Sequence, residues 1–159
     1  SRNGRIGVIC CSATAYSRSY DDALAAVPDV ELFTSACPLF VEFVEAGVTG
    51  GADLEAIAHD YLAPLQLAGV DTLILGCTHY PLIAPAIQRI LGRDVRLVTA
   101  GHAIAGAIQR QLASTGSLSS SAGEGEYRFL VTGDVDSFVE DGARFLQLPL
   151  ANRVSAASV

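Results

Sequence analysis

No run of apolar residues in this sequence is long enough to cross a bilayer as a helix, which takes about 20, and no signal-peptide core is present. Basic residues are few: 10 Lys and Arg stand against 17 Asp and Glu, a net charge of −7, with no basic patch or basic helix. That argues against nucleic acid and anionic membrane surfaces as partners, and an anionic ligand would need local help from backbone amides. Four cysteines, Cys10, Cys11, Cys37 and Cys77, lack CxxC or CxxH spacing. Without secretory features they read as free thiols of a reducing compartment, which points to the cytoplasm. No strand-linked GxGxxG occurs, and Gly47-Val48-Thr49-Gly50-Gly51 has neither a Lys nor a preceding strand. Neither a nucleotide cofactor nor a phosphate loop is indicated. The expectation is no cofactor and no metal.

The chain has 159 residues, half of them hydrophobic, enough for an α/β domain with a sizeable core. It opens on Ser1, without Met, directly before a strand, which reads as a fragment or a processed chain. Short apolar runs alternate with helical patterns: strands at 5–11, 30–35, 70–75 and 95–99, helices at 13–27, 52–68, 81–91 and 102–113. Residues 36–51 read as a long loop with one possible helical turn. This alternation predicts a mostly parallel sheet flanked by helices. The organisation read from it is an α/β domain over 1–99, a helix over 100–113, a Ser/Gly-rich linker over 114–125, a strand–helix segment over 126–146 capped by Asp134, and a frayed tail over 147–159.

The chemistry concentrates in Gly76-Cys77-Thr78-His79-Tyr80-Pro81-Leu82. A buried strand precedes it, and Pro81 in a first helical turn follows it. Cys77, Thr78 and His79 therefore fall at the carboxyl edge of the sheet, where open α/β folds bind ligands. A helix N-terminus and a nearby imidazole can lower a free cysteine pKa of about 8.5 by several units. His79, two residues on, can exchange a proton with a group attached nearby. The amides of the first turn, with the Thr78 hydroxyl, can hold a carboxylate. The structural alternative makes Cys77 a small strand-end residue and His79 a helix cap; local chemistry alone leaves both standing.

That heptapeptide resembles the second-cysteine signature of bacterial glutamate racemases, within the aspartate/glutamate racemase superfamily. Asn3-Gly4-Arg5-Ile6-Gly7-Val8-Ile9 and Ala36-Cys37-Pro38-Leu39-Phe40-Val41-Glu42-Phe43-Val44-Glu45-Ala46-Gly47 are similar to the same family in order and spacing. The resemblance covers residues 1–113 well and 126–146 more weakly, and corresponds to the family's C-terminal portion. It implies one half of a two-domain, pseudo-symmetric fold and cofactor-independent interconversion of L- and D-glutamate for peptidoglycan, hence cell-wall biogenesis and cell shape. It further implies that Cys77 is a catalytic thiol, that His79 assists it, that Glu45 orients and charges the histidine, and that Thr78 holds a substrate carboxylate.

Two departures matter. The family's other cysteine, in a Cys-Asn-Thr turn, and its strand-end Asp-Ser-Gly have no counterpart here. One thiol exchanges an α-proton on one face without inverting the centre efficiently, so the chain alone is expected to be inactive or very weak. A homodimer, or a first half supplied separately, would complete it, and the apolar face of helix 102–113 is expected to be exposed. Cys10 and Cys11 stand where the family shows Gly-Thr. Cys37 reads as a buried small hydrophobe, His59 as solvated, and His102 replaces an acidic, Ser-containing stretch. A metal site from Cys11, Cys37 and Cys77 lacks ligand spacing. A one-cysteine decarboxylase and a non-catalytic binding domain are the alternatives.

Overall fold

The computed structural model describes residues 1–121, 123 and 125–158. The chain forms two compact units, Ser1–Gln111 and Leu112–Val159. In the first unit, β1 (Arg5–Cys10), β2 (Glu31–Ala36), β3 (Thr72–Leu75) and β4 (Arg96–Thr99) form one parallel sheet in the order β2-β1-β3-β4. The mostly parallel α/β sheet expected from the alternation of patterns is present. β1 lies between β2 and β3, so Val8, Ile9 and Cys10 are fully buried. That is why β1 reads as a continuous apolar run rather than an alternating one.

The helices of this unit are α1 (Ser12–Ser17), α2 (Ser19–Leu24), α3 (Leu39–Glu45), α4 (Ala52–Leu67) and α5 (Ala84–Leu91), and α6 (Ala100–Ser114) starts within it. Helix α4 buries Leu54, Ala58, Leu62 and Leu65 at helical spacing. Arg89 of α5 meets Glu55 of α4 at 2.8 Å, and Gln66 Nε2 donates to the Ile90 carbonyl at 2.9 Å, tying the two helices.

Three local readings of the sequence change. The helix expected over 13–27 breaks at Arg18, which takes a left-handed conformation (φ 54°). Ser17 Oγ donates to the Thr14 carbonyl beside the break, offering the backbone a competing partner. The loop over 36–51 contains a true helix, α3: Pro38 presets its entry, and Phe40 and Val44 bury one face, one turn apart. The helix after the central turn begins as a 3₁₀ turn, Tyr80–Ile83, before α5 proper.

The second unit holds β5 (Phe129–Val131), α7 (Val135–Leu146) and β6 (Val154–Ala156). Asp134 caps α7 by accepting from the Ser137 amide at 2.7 Å. The tail expected to fray over 147–159 instead supplies β6, parallel to β5 with Phe129 opposite Val154. Leu150, fully buried, fixes it: a Cβ on Gly142 of α7 would lie 2.6 Å from the Leu150 side chain, so only glycine leaves room. In the linker expected over 114–125, residues 122 and 124 lie outside the described residues, as does residue 159 of the tail. Ile104, Ile108 and Leu112 of α6 are exposed, as the sequence led us to expect.

Candidate active site

All four cysteines sit at one edge of the first unit. Cys10 ends β1 and Cys11 follows it, Cys37 follows β2, and Cys77 follows β3 by two residues. In a parallel sheet these are the carboxyl ends of adjacent strands, so the topology gathers residues far apart in sequence. The turn after β3 leaves the ladder at Gly76, whose amide still donates to the Ile9 carbonyl at 2.8 Å. A Cβ there would fall 2.9 Å from that carbonyl and 2.9 Å from the Tyr20 hydroxyl, so the close approach requires glycine.

Beyond Gly76 three side chains meet. Cys77 Sγ lies 3.6 Å from His79 Nδ1, and Thr78 Oγ1 lies 3.4 Å from the same nitrogen. On the other side of the ring, His79 Nε2 lies 3.5 Å from Glu45 Oε1, at the end of α3. An ionised carboxylate only accepts, so the Nε2–Glu45 contact is attractive when Nε2 carries the proton. In the neutral ring Nδ1 is then an acceptor within reach of the thiol, placed to take or return its proton. Glu45 is well exposed, so its pair with His79 orients the ring more than it adds stability.

Glu45 reaches His79 because the turn is anchored on α3. Tyr80 is fully buried, its hydroxyl donates to the Cys37 carbonyl at 2.8 Å, and its ring packs edge-on against Phe40 at 5.4 Å. Burial pushes the Tyr80 hydroxyl well above its ordinary pKa, so it remains a neutral donor.

Cys77 and Thr78 line a cavity of about 420 Å³, with Tyr20, Pro81, Thr99 and Ile104 among its walls. His79 and Glu45 stand behind the thiol rather than in the wall. Tyr20 and Thr99 were not legible as site residues; the sequence signal was only that Thr99 ends a strand and that Tyr20 shares one face of the helical pattern over 13–27 with Tyr16, Ala23 and Leu24. A second cavity of similar size lies at the opposite, amino edge, lined by Arg2, Asp71, Arg93 and Arg96. It contains no thiol or imidazole.

The surroundings of the thiols differ. Burial pushes Cys37 up to about 12, and burial with the charges of Cys11 and Cys77 raises Cys10. Cys11 is lowered, chiefly by its hydrogen bond with Thr14, whose Oγ1 lies 3.1 Å from Sγ. His59 is exposed on α4, and His102 is exposed on α6. Among the described residues no group of three or more His, Cys, Asp or Glu is placed to hold a metal, and no helix is long and apolar enough to cross a membrane.

The fold and this turn define a class: an α/β domain that presents a thiol to a sheet-edge cavity, with an imidazole beside the thiol and a carboxylate beside the imidazole. Comparison with known proteins narrows it. Over 147 residues the chain is 50% identical to the glutamate racemase of Acidothermus cellulolyticus, covering 92% of this chain and 56% of that protein. It is 48% identical to the Mycobacterium leprae glutamate racemase, again over 92% of this chain and 54% of the relative. The crystal structure of Francisella tularensis glutamate racemase in complex with D-glutamate matches with a TM-score of 0.88 at 32% identity, covering 98% of this chain and 58% of that one. Glutamate racemase isoform RacE1 of Bacillus anthracis matches with a TM-score of 0.82 at 32% identity, over the whole of this chain and 58% of its own. No family model matches. This chain is similar to the glutamate racemases, and it spans a little over half the length of those it matches.

Proposed function

We propose that this chain is the C-terminal portion of a glutamate racemase, carrying one of the two acid–base stations that interconvert L- and D-glutamate without a cofactor. The row Cys77–His79–Glu45, with Sγ to Nδ1 at 3.6 Å and Nε2 to Oε1 at 3.5 Å, is the observation that carries the reading. In it, the Cys77 thiolate removes the α-proton from one face of glutamate, and His79 exchanges the thiol proton. Glu45 holds the ring in the required tautomer. Thr78, beside Cys77 in the cavity wall, takes a substrate carboxylate. The D-glutamate bound by the Francisella relative fits a small amino-acid substrate. In the cell the product would serve peptidoglycan synthesis in the cytoplasm.

Inversion needs a second proton donor on the opposite face of the α-carbon. In this reading it comes from the part of a racemase that this chain does not span, or from a second copy whose Cys77 turn faces the first. Exposed Ile104, Ile108 and Leu112 fit either neighbour.

Each glutamate enantiomer incubated with the chain in deuterated water tests this by NMR and chiral chromatography. Deuterium entering one enantiomer without inversion is expected of the lone chain, and inversion is expected of a paired one. Cys77→Ser should abolish either signal. Absence of exchange from both enantiomers, also after the remainder of a racemase is supplied, would leave only a binding domain.

A further inference from the structure

The site contains a second thiol for which proton transfer has no use. Cys11 follows β1 as the N-terminal cap of α1, and its backbone stays extended (φ −71°, ψ 162°), continuing the strand direction. β1 and β3 pair with Ile9 opposite Leu75, and the Gly76 amide continues that ladder onto Ile9. Extended two residues beyond these last paired positions, that register would bring Cys11 beside Cys77. Neighbouring strands lie about 4.8 Å apart, inside the Cα separation of about 4.4–6.8 Å that a disulfide spans. Gly76 adds no side chain between them. Cys10, one residue away, is buried, whereas Cys11 and Cys77 are both partly exposed.

We propose that Cys11 and Cys77 form an oxidant-sensitive pair that hydrogen peroxide converts into an intramolecular disulfide. Cys11 is the attacking thiolate, because its hydrogen bond with Thr14 favours the ionised form. Its sulfur attacks a peroxide oxygen: the S–O bond forms, the O–O bond breaks, and hydroxide leaves and is protonated to water. The Cys77 thiolate then attacks the resulting sulfenic acid. The S–S bond forms, the S–O bond breaks, and a second water leaves. Two thiols are oxidised and one peroxide is reduced to two waters. The product removes Cys77 from acid–base work until a thiol reductant restores it. The pairing rests on strand register and stands whether or not the racemase reading holds.

The full chain, treated with hydrogen peroxide, is unfolded in N-ethylmaleimide and mapped by mass spectrometry. Alkylatable thiols should fall from four to two and recover with dithiothreitol. Cleavage after arginine should release residues 6–18 joined to 19–89, and further cleavage after Glu45 and Glu55 should place the link on Cys77 rather than Cys37. Cys10→Ser should retain the link; Cys11→Ser and Cys77→Ser should lose it. In Cys77→Ser, a dimedone adduct should accumulate on Cys11. Cys11→Thr, which keeps a hydroxyl at the cap, serves if Cys11→Ser folds poorly. A Cys10–Cys11 bridge, a link to Cys37, or over-oxidation of both thiols without any link would overturn the proposal.

Discussion

Removing one oxygen atom tests how the site is held. In Tyr80→Phe the ring remains between Phe40 and the sheet, so no cavity opens, and only the hydroxyl that donates to the Cys37 carbonyl is lost. That carbonyl is not orphaned, because the Phe40 amide also donates to it at 3.2 Å. The expected cost is therefore that of one net hydrogen bond, about 1 kcal/mol, rather than the roughly 1–3 kcal/mol of a buried acceptor left without a partner. With a urea slope of about 2 kcal/mol/M for a domain of this size, the midpoint should fall by about 0.5 M. Tyr80→Ala should cost about 3–5 kcal/mol, because it adds a cavity where the ring was. The same Tyr80→Phe change frees the turn from the strand end that precedes α3, so the His79–Glu45 pair should loosen and any α-proton exchange should fall. Urea titrations followed by circular dichroism, with exchange measured on the same samples, check both effects. A Tyr80→Phe midpoint equal to wild type, or a loss as large as that of Tyr80→Ala, would show that the hydroxyl does not pin this turn as described.

Gly76→Ala should destabilise by about 1–3 kcal/mol, because its Cβ meets the Ile9 carbonyl and the Tyr20 hydroxyl at 2.9 Å; it should also change the alkylation rate of Cys77, which iodoacetamide kinetics would report. Glu45→Gln should leave the melting temperature nearly unchanged, since the pair is exposed, yet slow α-proton exchange by about tenfold or more through loss of ring orientation. Asp71 is held below the usual carboxylate range by hydrogen bonds from Ser1 Oγ, the Arg2 and Asn3 amides and Thr72 Oγ1. A depressed folded pKa stabilises above the ordinary carboxylate value and the benefit is lost as pH falls, so thermal melts should weaken below about pH 4, and Asp71→Asn should flatten that acid limb. Cys37, pushed up to about 12 by burial, should resist iodoacetamide at neutral pH until the chain is unfolded, whereas Cys77 should react in the native state.

The sequence by itself determined what depends on near neighbours. The alternation of short branched runs with amphipathic stretches specified a parallel α/β sheet, because side-chain periodicity and crossover geometry are local constraints. Spacing within Cys77-Thr78-His79 put the thiol and imidazole close in the chain while leaving open whether they meet, and Asp134 was legible as a cap from its place before a helical pattern. Tertiary structure decided the rest. That Glu45 lies against His79, 34 positions away, follows from α3 being a helix and from Tyr80 bridging to Cys37, and neither is written in a local pattern. That the ends of β1 and β3, and with them Cys11 and Cys77, come to the same sheet edge depends on strand order β2-β1-β3-β4, which sequential order does not dictate. The strand at Val154–Ala156 forms only because Phe129 and its neighbours offer a partner edge, and a short polar segment has no periodicity strong enough to announce such pairing. Long-range contacts win there because they satisfy backbone groups and bury Leu150, terms that no window of neighbouring residues contains.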